Sequence, residues 1–169
     1  MQQYTLEEYA TYLTKAFSSY RPRIAYDVTD KGEKTMDFLI ENTSEPRFSV
    51  SLRAISKYKL IDTCTLWFGQ AELSGYLDPE MAPSAINTIL NDELVAILHY
   101  KNQDTYENHR PSGKQWLYQL TDDEDDDSEA LEKMKQKLAS PPSLMDKLSG
   151  KWSGVFEIYS WRTHEVIHR

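Results

Sequence analysis

The sequence predicts an α+β fold, a single domain over residues 1–169. In it an antiparallel sheet, a meander of about four strands plus a later hairpin and a C-terminal strand, is packed by an N-terminal helix and two further helices. Three observations predict it. Apolar residues recur at helical spacing over the first twenty positions and then change to alternation. Several alternating segments follow one another with short turn clusters between them. Helical segments are set apart rather than placed after every strand, which argues against a wound parallel sheet. With 169 residues, 40% of them hydrophobic, the chain is long enough to bury an ordinary core without staples.

The elements follow in order. Thr5-Leu6-Glu7-Glu8 reads as a capping box, Thr5 at the N-cap and Glu8 three residues on. Leu6, Tyr9, Ala10, Leu13, Ala16, Phe17 and Tyr20 then fall on one helical face, and Pro22 stops the pattern. Arg23 to Val28 is a short strand ended by the turn Thr29 to Gly32. Met36, Phe38 and Ile40 alternate with Asp37 and Glu41, although Leu39 breaks the pattern, and Asn42 to Pro46 turns the chain. Phe48, Val50, Leu52 and Ala54 alternate with Ser49, Ser51 and Arg53, as a half-buried antiparallel strand does. Thr63 to Ala71 reads as the fourth strand, with Cys64, Leu66 and Phe68 on one face.

Pro83 opens a short helix carrying Ile86, Ile89 and Leu90, which Asn91-Asp92 ends. Leu94 to Tyr100 is read as a central strand, although Leu94, Ile97 and Leu98 also fit a helical period. Residues 101–114 form a long loop, and Gln115 to Leu120 returns as a strand with Trp116, Tyr118 and Leu120 on one face. An acidic loop at 121–128 precedes a helix from Ser128 to Leu138. Pro141-Pro142 breaks that helix, a turn of helix from Leu144 to Leu148 closes at Gly150, and Trp152 to Trp161 is the last strand. This order of elements resembles that of small acidic secretion chaperones, without a residue motif behind the likeness.

Composition excludes several functions. The single cysteine, Cys64, forbids an intrachain disulfide and a thiolate-rich zinc site, and its strand context makes it a small buried hydrophobe. The N-terminal residues carry neither a basic nor an apolar region, so no signal peptide is expected. The aliphatic run Leu94 to Leu98 is too short to span a bilayer. The expectation is a cytoplasmic protein with no membrane contact. The net charge is −8, and an unbroken run, Asp122, Asp123, Glu124, Asp125, Asp126 and Asp127, supplies most of it. The rest of the chain is close to neutral. Direct nucleic-acid binding needs a basic footprint that is missing here.

The strongest chemical pattern is His164-Glu165-Val166-Ile167-His168, a match to H-E-x-x-H. On a helix this motif places two imidazoles on one face for zinc, with the glutamate as general base on a metal-bound water. Here only Arg169 follows, so a third ligand would have to come from His99, His109 or a carboxylate upstream. The preceding residues are strand-like, and the sequence reading is a solvated polar tail. A zinc hydrolase using His164, His168 and Glu165 stands as the enzyme alternative.

Other constellations are weaker. The acidic run lacks the Gly and Glu that a calcium loop requires at its sixth and twelfth positions. There is no G-x-S-x-G elbow and no glycine-rich phosphate loop. His99 lies on an apolar segment and reads as a satisfied core histidine. Tyr9, Phe17, Tyr20, Phe48, Phe68, Trp116, Phe156 and Tyr159 read as core aromatics. Trp67, Tyr58, Tyr76, Tyr106 and Trp161 fall off the apolar faces, and such residues anchor protein interfaces.

The sequence therefore points to a non-enzymatic protein that binds another protein, of the immunity-protein or chaperone-like kind, with no cofactor. Residues 122–127 would steer it toward a basic partner surface, and Trp67, Tyr106 and Trp161 would supply buried anchors. An acidic inhibitor of a nucleic-acid enzyme is the second alternative. A ligand pocket between the sheet and the first helix is a further one.

Overall fold

The computed structural model describes residues 3–120, 127–150 and 152–169, and the backbone alone at 74–76. The α+β class and the antiparallel strands are as the sequence predicts. Contacts gather into two compact units, residues 1–89 and 90–169. The meander lies in the first, and the hairpin with the C-terminal strand lies in the second. Among the described residues no helix is long and apolar enough to cross a membrane.

The first unit starts with helix α1, Leu6–Ala16. Its capping box is formed as expected, with Thr5 accepting from the Glu8 N–H and Glu8 accepting from the Thr5 N–H. Five strands follow in sheet order β1-β2-β3-β4-β5: Arg23–Val28, Lys34–Ile40, Val50–Lys57, Leu60–Phe68 and Ala71–Leu77. Every neighbouring pair is antiparallel. The alternation predicts the buried face correctly: Met36, Phe38, Ile40, Val50, Leu52, Ala54, Cys64, Leu66 and Phe68 are all fully buried. Against them α1 lays Leu6, Tyr9, Ala10 and Leu13, and Phe17 beyond its end meets Phe38. Cys64 is such a core residue, and burial pushes its thiol up to about 12. It is inert as a nucleophile at neutral pH.

Two corrections apply to this unit. The meander has five strands, because the expected strand Thr63 to Ala71 is broken at Gly69-Gln70 and Ala71 begins β5. Gly69 takes positive φ there, the conformation a tight turn requires. Tyr20, expected in the core, is exposed in a 3₁₀ turn after α1. Helix α2, Ala82–Leu90, follows, with Pro83 in its first turn.

The second unit has sheet order β7-β6-β8-β9, with β6 Leu94–Tyr100, β7 Gln115–Gln119, β8 Val155–Tyr159 and β9 His164–His168. All pairs are antiparallel. Both central strands, β6 and β8, are buried along their whole length. On one face Val95, Ile97, Phe156 and Ile158 pack with Leu131, Met134 and Leu138 of helix α4, Ser128–Ala139. The expected loop 101–114 contains a short helix α3, Gln103–Glu107, which Asn102 caps. Helix α5, Leu144–Ser149, closes at Gly150 in the left-handed conformation, as expected.

The last strand is the main correction. Residues 152–161 do not form one strand; β8 ends at Tyr159, and a turn leads to β9. The terminal motif, expected as a solvated tail, is the edge strand of this sheet. Arg169 continues the pairing, exchanging backbone hydrogen bonds with Gly154.

Candidate interaction surfaces

The H-E-V-I-H residues are presented by a strand, and that decides what they can do. Side chains alternate along β9, so His164 and His168 share one face while Glu165 takes the other. Four residues of strand separate the two imidazoles by about 13 Å. One ion cannot bind both, and the glutamate cannot serve a water held between them. Among the described residues no three His, Cys, Asp or Glu side chains converge on a possible metal position.

His164 instead donates from Nε2 to Glu157 Oε1 at 3.1 Å. Glu157 lies in the middle of β8 and is only 2% exposed. Its other oxygen accepts from the Tyr100 hydroxyl at 2.7 Å. The strand register explains the meeting, since Glu157 pairs with Leu98 on β6 and Tyr159 pairs with His164 on β9. A buried carboxyl is costly unless it is hydrogen-bonded, and these two donors offset that cost. His99 is the satisfied core histidine that the sequence suggests. Its Nε2–H donates to the Ser153 carbonyl at 2.8 Å, and Nδ1 lies 2.6 Å from Ser112 Oγ. A neutral imidazole satisfies both partners.

The expected partner residues fall on several elements. Residues 122–126 lie outside the described residues. Asp127 sits at the start of α4 and is tied to β7, where its carboxylate accepts from the Gln119 N–H at 3.0 Å. Its charge also complements the helix dipole. Trp67 is half-buried on the face of β4 opposite the core, across from Ser51 and Glu72. Tyr106, half-buried on α3, turns its ring edge to Tyr100 at 5.2 Å, so it packs its own unit. Trp161 is half-buried in the turn between β8 and β9. Tyr58 is fully displayed, as expected of an off-face aromatic. Tyr76 falls where only the backbone is described.

The exposed apolar groups that the structure does display are elsewhere. Helix α5 exposes Leu144, Met145 and Leu148 at 71%, 72% and 74% and buries none of its residues. Polar ties hold it. Ser143 and Asp146 form a capping box, and the hydrogen bonds that Asp146 accepts from Ser143 keep its carboxyl below the usual aspartate range. The buried Arg169 side chain reaches the Ser140 carbonyl at 3.0 Å and lies 3.9 Å from Asp146. A six-residue helix gains little from propensity alone. Its apolar stripe at i and i+4 is surface that the described residues of the second unit leave uncovered.

In the first unit, α1 lies over β2 and β3, leaving the edge strand β1 bare. Tyr26 and Val28, on the face that should be covered, are 55% and 58% exposed. An open groove of about 520 Å³ runs between them and the helix, lined by Ala10, Thr14, Lys15, Ile24 and Tyr26. It continues past Tyr26 into a hollow of about 270 Å³ at Leu6, Val28 and Lys34. A third, of about 430 Å³, reaches Ser56 and Tyr58. The space expected between sheet and first helix is thus an open groove at their margin. No signal in the sequence gives the sideways offset of α1 that creates it.

Compared with family models, curated proteins and solved structures, the chain matches none.

Proposed function

We propose that this chain is a non-enzymatic cytoplasmic protein that binds and sequesters another protein. The observation that carries the reading is α5. Leu144, Met145 and Leu148 are held in fixed helical geometry and left in water. Burying such side chains is worth roughly 1.5–3 kcal/mol each, and a patch of this kind marks an interaction site. Helix α4, twelve residues and about 18 Å long at 1.5 Å each, lies in the chain between α5 and Asp127, the end of the acidic run. A partner of ordinary interface size spans such a length. The chemistry it must carry is an apolar cleft for α5 beside a basic surface for the carboxylates of residues 122–127. The acidic run accelerates encounter, and the apolar helix supplies the lasting contact. An immunity protein or a chaperone-like carrier works in this way, by occluding its partner.

The test is affinity capture from native cells with the wild-type chain and with the pair Leu144→Asp and Leu148→Asp. Both sites are exposed, so the fold is expected to persist, which circular dichroism checks. A partner captured by the wild type and lost in the variant supports the reading, and its association rate should fall steeply with salt. Identical capture by both proteins contradicts it.

A further inference from the structure

Among the described residues no strand pairs with the outer edge of β1. In the turn after β1, the Thr29 N–H donates to the Glu33 carbonyl and the Gly32 N–H to the Thr29 carbonyl. Thr29 therefore faces β2, and by alternation so do Asp27, Ala25 and Arg23. The far side of the sheet agrees in phase, since the Gly69 N–H reaches the Ser49 carbonyl. Ile24, Tyr26 and Val28 thus point their backbone groups away from the sheet. Two of the neighbouring groups are out of use. Pro22 has no N–H, and the Val28 N–H is taken by Asp27 Oδ1 at 2.8 Å. The usable edge is Ile24 and Tyr26, the two residues whose side chains line the groove beside α1.

We propose that β1 is a self-pairing edge, on which the β1 strand of a second copy docks antiparallel with Ala25 facing Ala25 across a two-fold axis. In this register Ile24 exchanges both hydrogen bonds with Tyr26 of the other copy, and Tyr26 with Ile24. The N–H and carbonyl of Ile24 and of Tyr26, four groups on each chain, are all used. Shifting the register toward Val28 requires the N–H that Asp27 holds, and shifting it toward Pro22 requires an N–H that does not exist. On the outer face the chosen register sets Arg23 directly against Asp27 of the second copy, twice. The strand carries its positive charge at one end and its negative charge at the other, and antiparallel self-pairing matches them. Arg23 also touches Glu41 at 3.1 Å on its own chain, so its fork serves both carboxylates. On the groove face Ile24 lies opposite Tyr26, an apolar–aromatic pair suited to a sheet. The surface belongs to the first unit, and this inference does not depend on the partner reading of α5.

The experiment is oxidative cross-linking of Ala25→Cys, with Asp27→Cys as the control, in the full chain. The native Cys64 is buried and silent. Facing residues in such a pair lie about 4.5–5.5 Å apart, within disulfide range. Residues at 27 are set against 23 and lie far beyond it. The expected result is a covalent dimer from Ala25→Cys and none from Asp27→Cys. Sedimentation equilibrium gives the second arm. Arg23→Asp should weaken dimerisation about tenfold, since it creates two like-charge pairs, and adding Asp27→Arg should restore it. Tyr26→Pro should abolish it while leaving the β1–β2 ladder intact, because that N–H does not serve the ladder. A single-chain mass at every concentration overturns the proposal. So does a cross-link in the Asp27→Cys variant as ready as that in Ala25→Cys, a failure of the double charge variant to recover, or capture of a foreign strand by a monomeric chain.

Discussion

Gly154→Ala is expected to destabilise the second unit by on the order of 4 kcal/mol, a large fraction of the stability of a unit this size. Gly154 has φ of +119°, a conformation that L side chains rarely adopt. A Cβ there would stand far inside contact distance of the Tyr100 carbonyl, 3.0 Å from the Lys101 carbonyl and 3.2 Å from His99 Nε2. The two carbonyls belong to backbone and cannot swing aside. The residue also ties the sheet edge, since its N–H and carbonyl both pair with Arg169. Strain and overpacking therefore add to lost pairing. Urea denaturation followed by the fluorescence of Trp116 and Trp152 measures the effect. An unchanged midpoint would show that the β6 and β8 backbones do not approach this closely.

The second large effect concerns Glu157. The pair Tyr100→Phe and His164→Ala removes two donors from a buried carboxyl, and the expected loss is about 2–5 kcal/mol. Tyr100→Phe combined with Glu157→Leu removes the same hydroxyl but leaves no buried acceptor behind. It should be the milder of the two double variants, because replacing a buried polar pair with apolar groups of similar shape costs little. Thermal denaturation of both proteins gives the order. If the Glu157→Leu combination is the less stable, the carboxyl has a role that these two hydrogen bonds do not describe.

What the sequence made legible was local. The α1 capping box, the buried face of β2 to β4 and the glycine closing α5 each depend on residues a few positions apart. What it hid was of two kinds. Strands β5 and β9 lack a clear signal of their own. A two-residue turn at Gly69-Gln70 joins β5 to the alternation of β4. Val166 and Ile167 sit side by side in β9, which breaks a period of two, and the turn at residues 160–163 contains no Gly, Pro or Asn. The candidate surfaces depend on distant parts of the chain. Glu157 is buried beneath a tyrosine 57 positions away in sequence. Tyr26 alternates like a core residue, yet α1 is displaced from it. Trp67, Tyr106 and Trp161 fall off the apolar faces in sequence, and pattern alone does not show that Tyr106 turns its ring edge to Tyr100.

The strand conformation of β9 makes His164 a partner of Glu157 and carries His168 out of reach of any ion that His164 could hold. Calorimetric titration with zinc of the wild-type chain and of His168→Ala tests this most directly. The strand predicts the same isotherm for both proteins, without a one-to-one site that depends on His168. A stoichiometric site present in the wild type and lost in His168→Ala would contradict it.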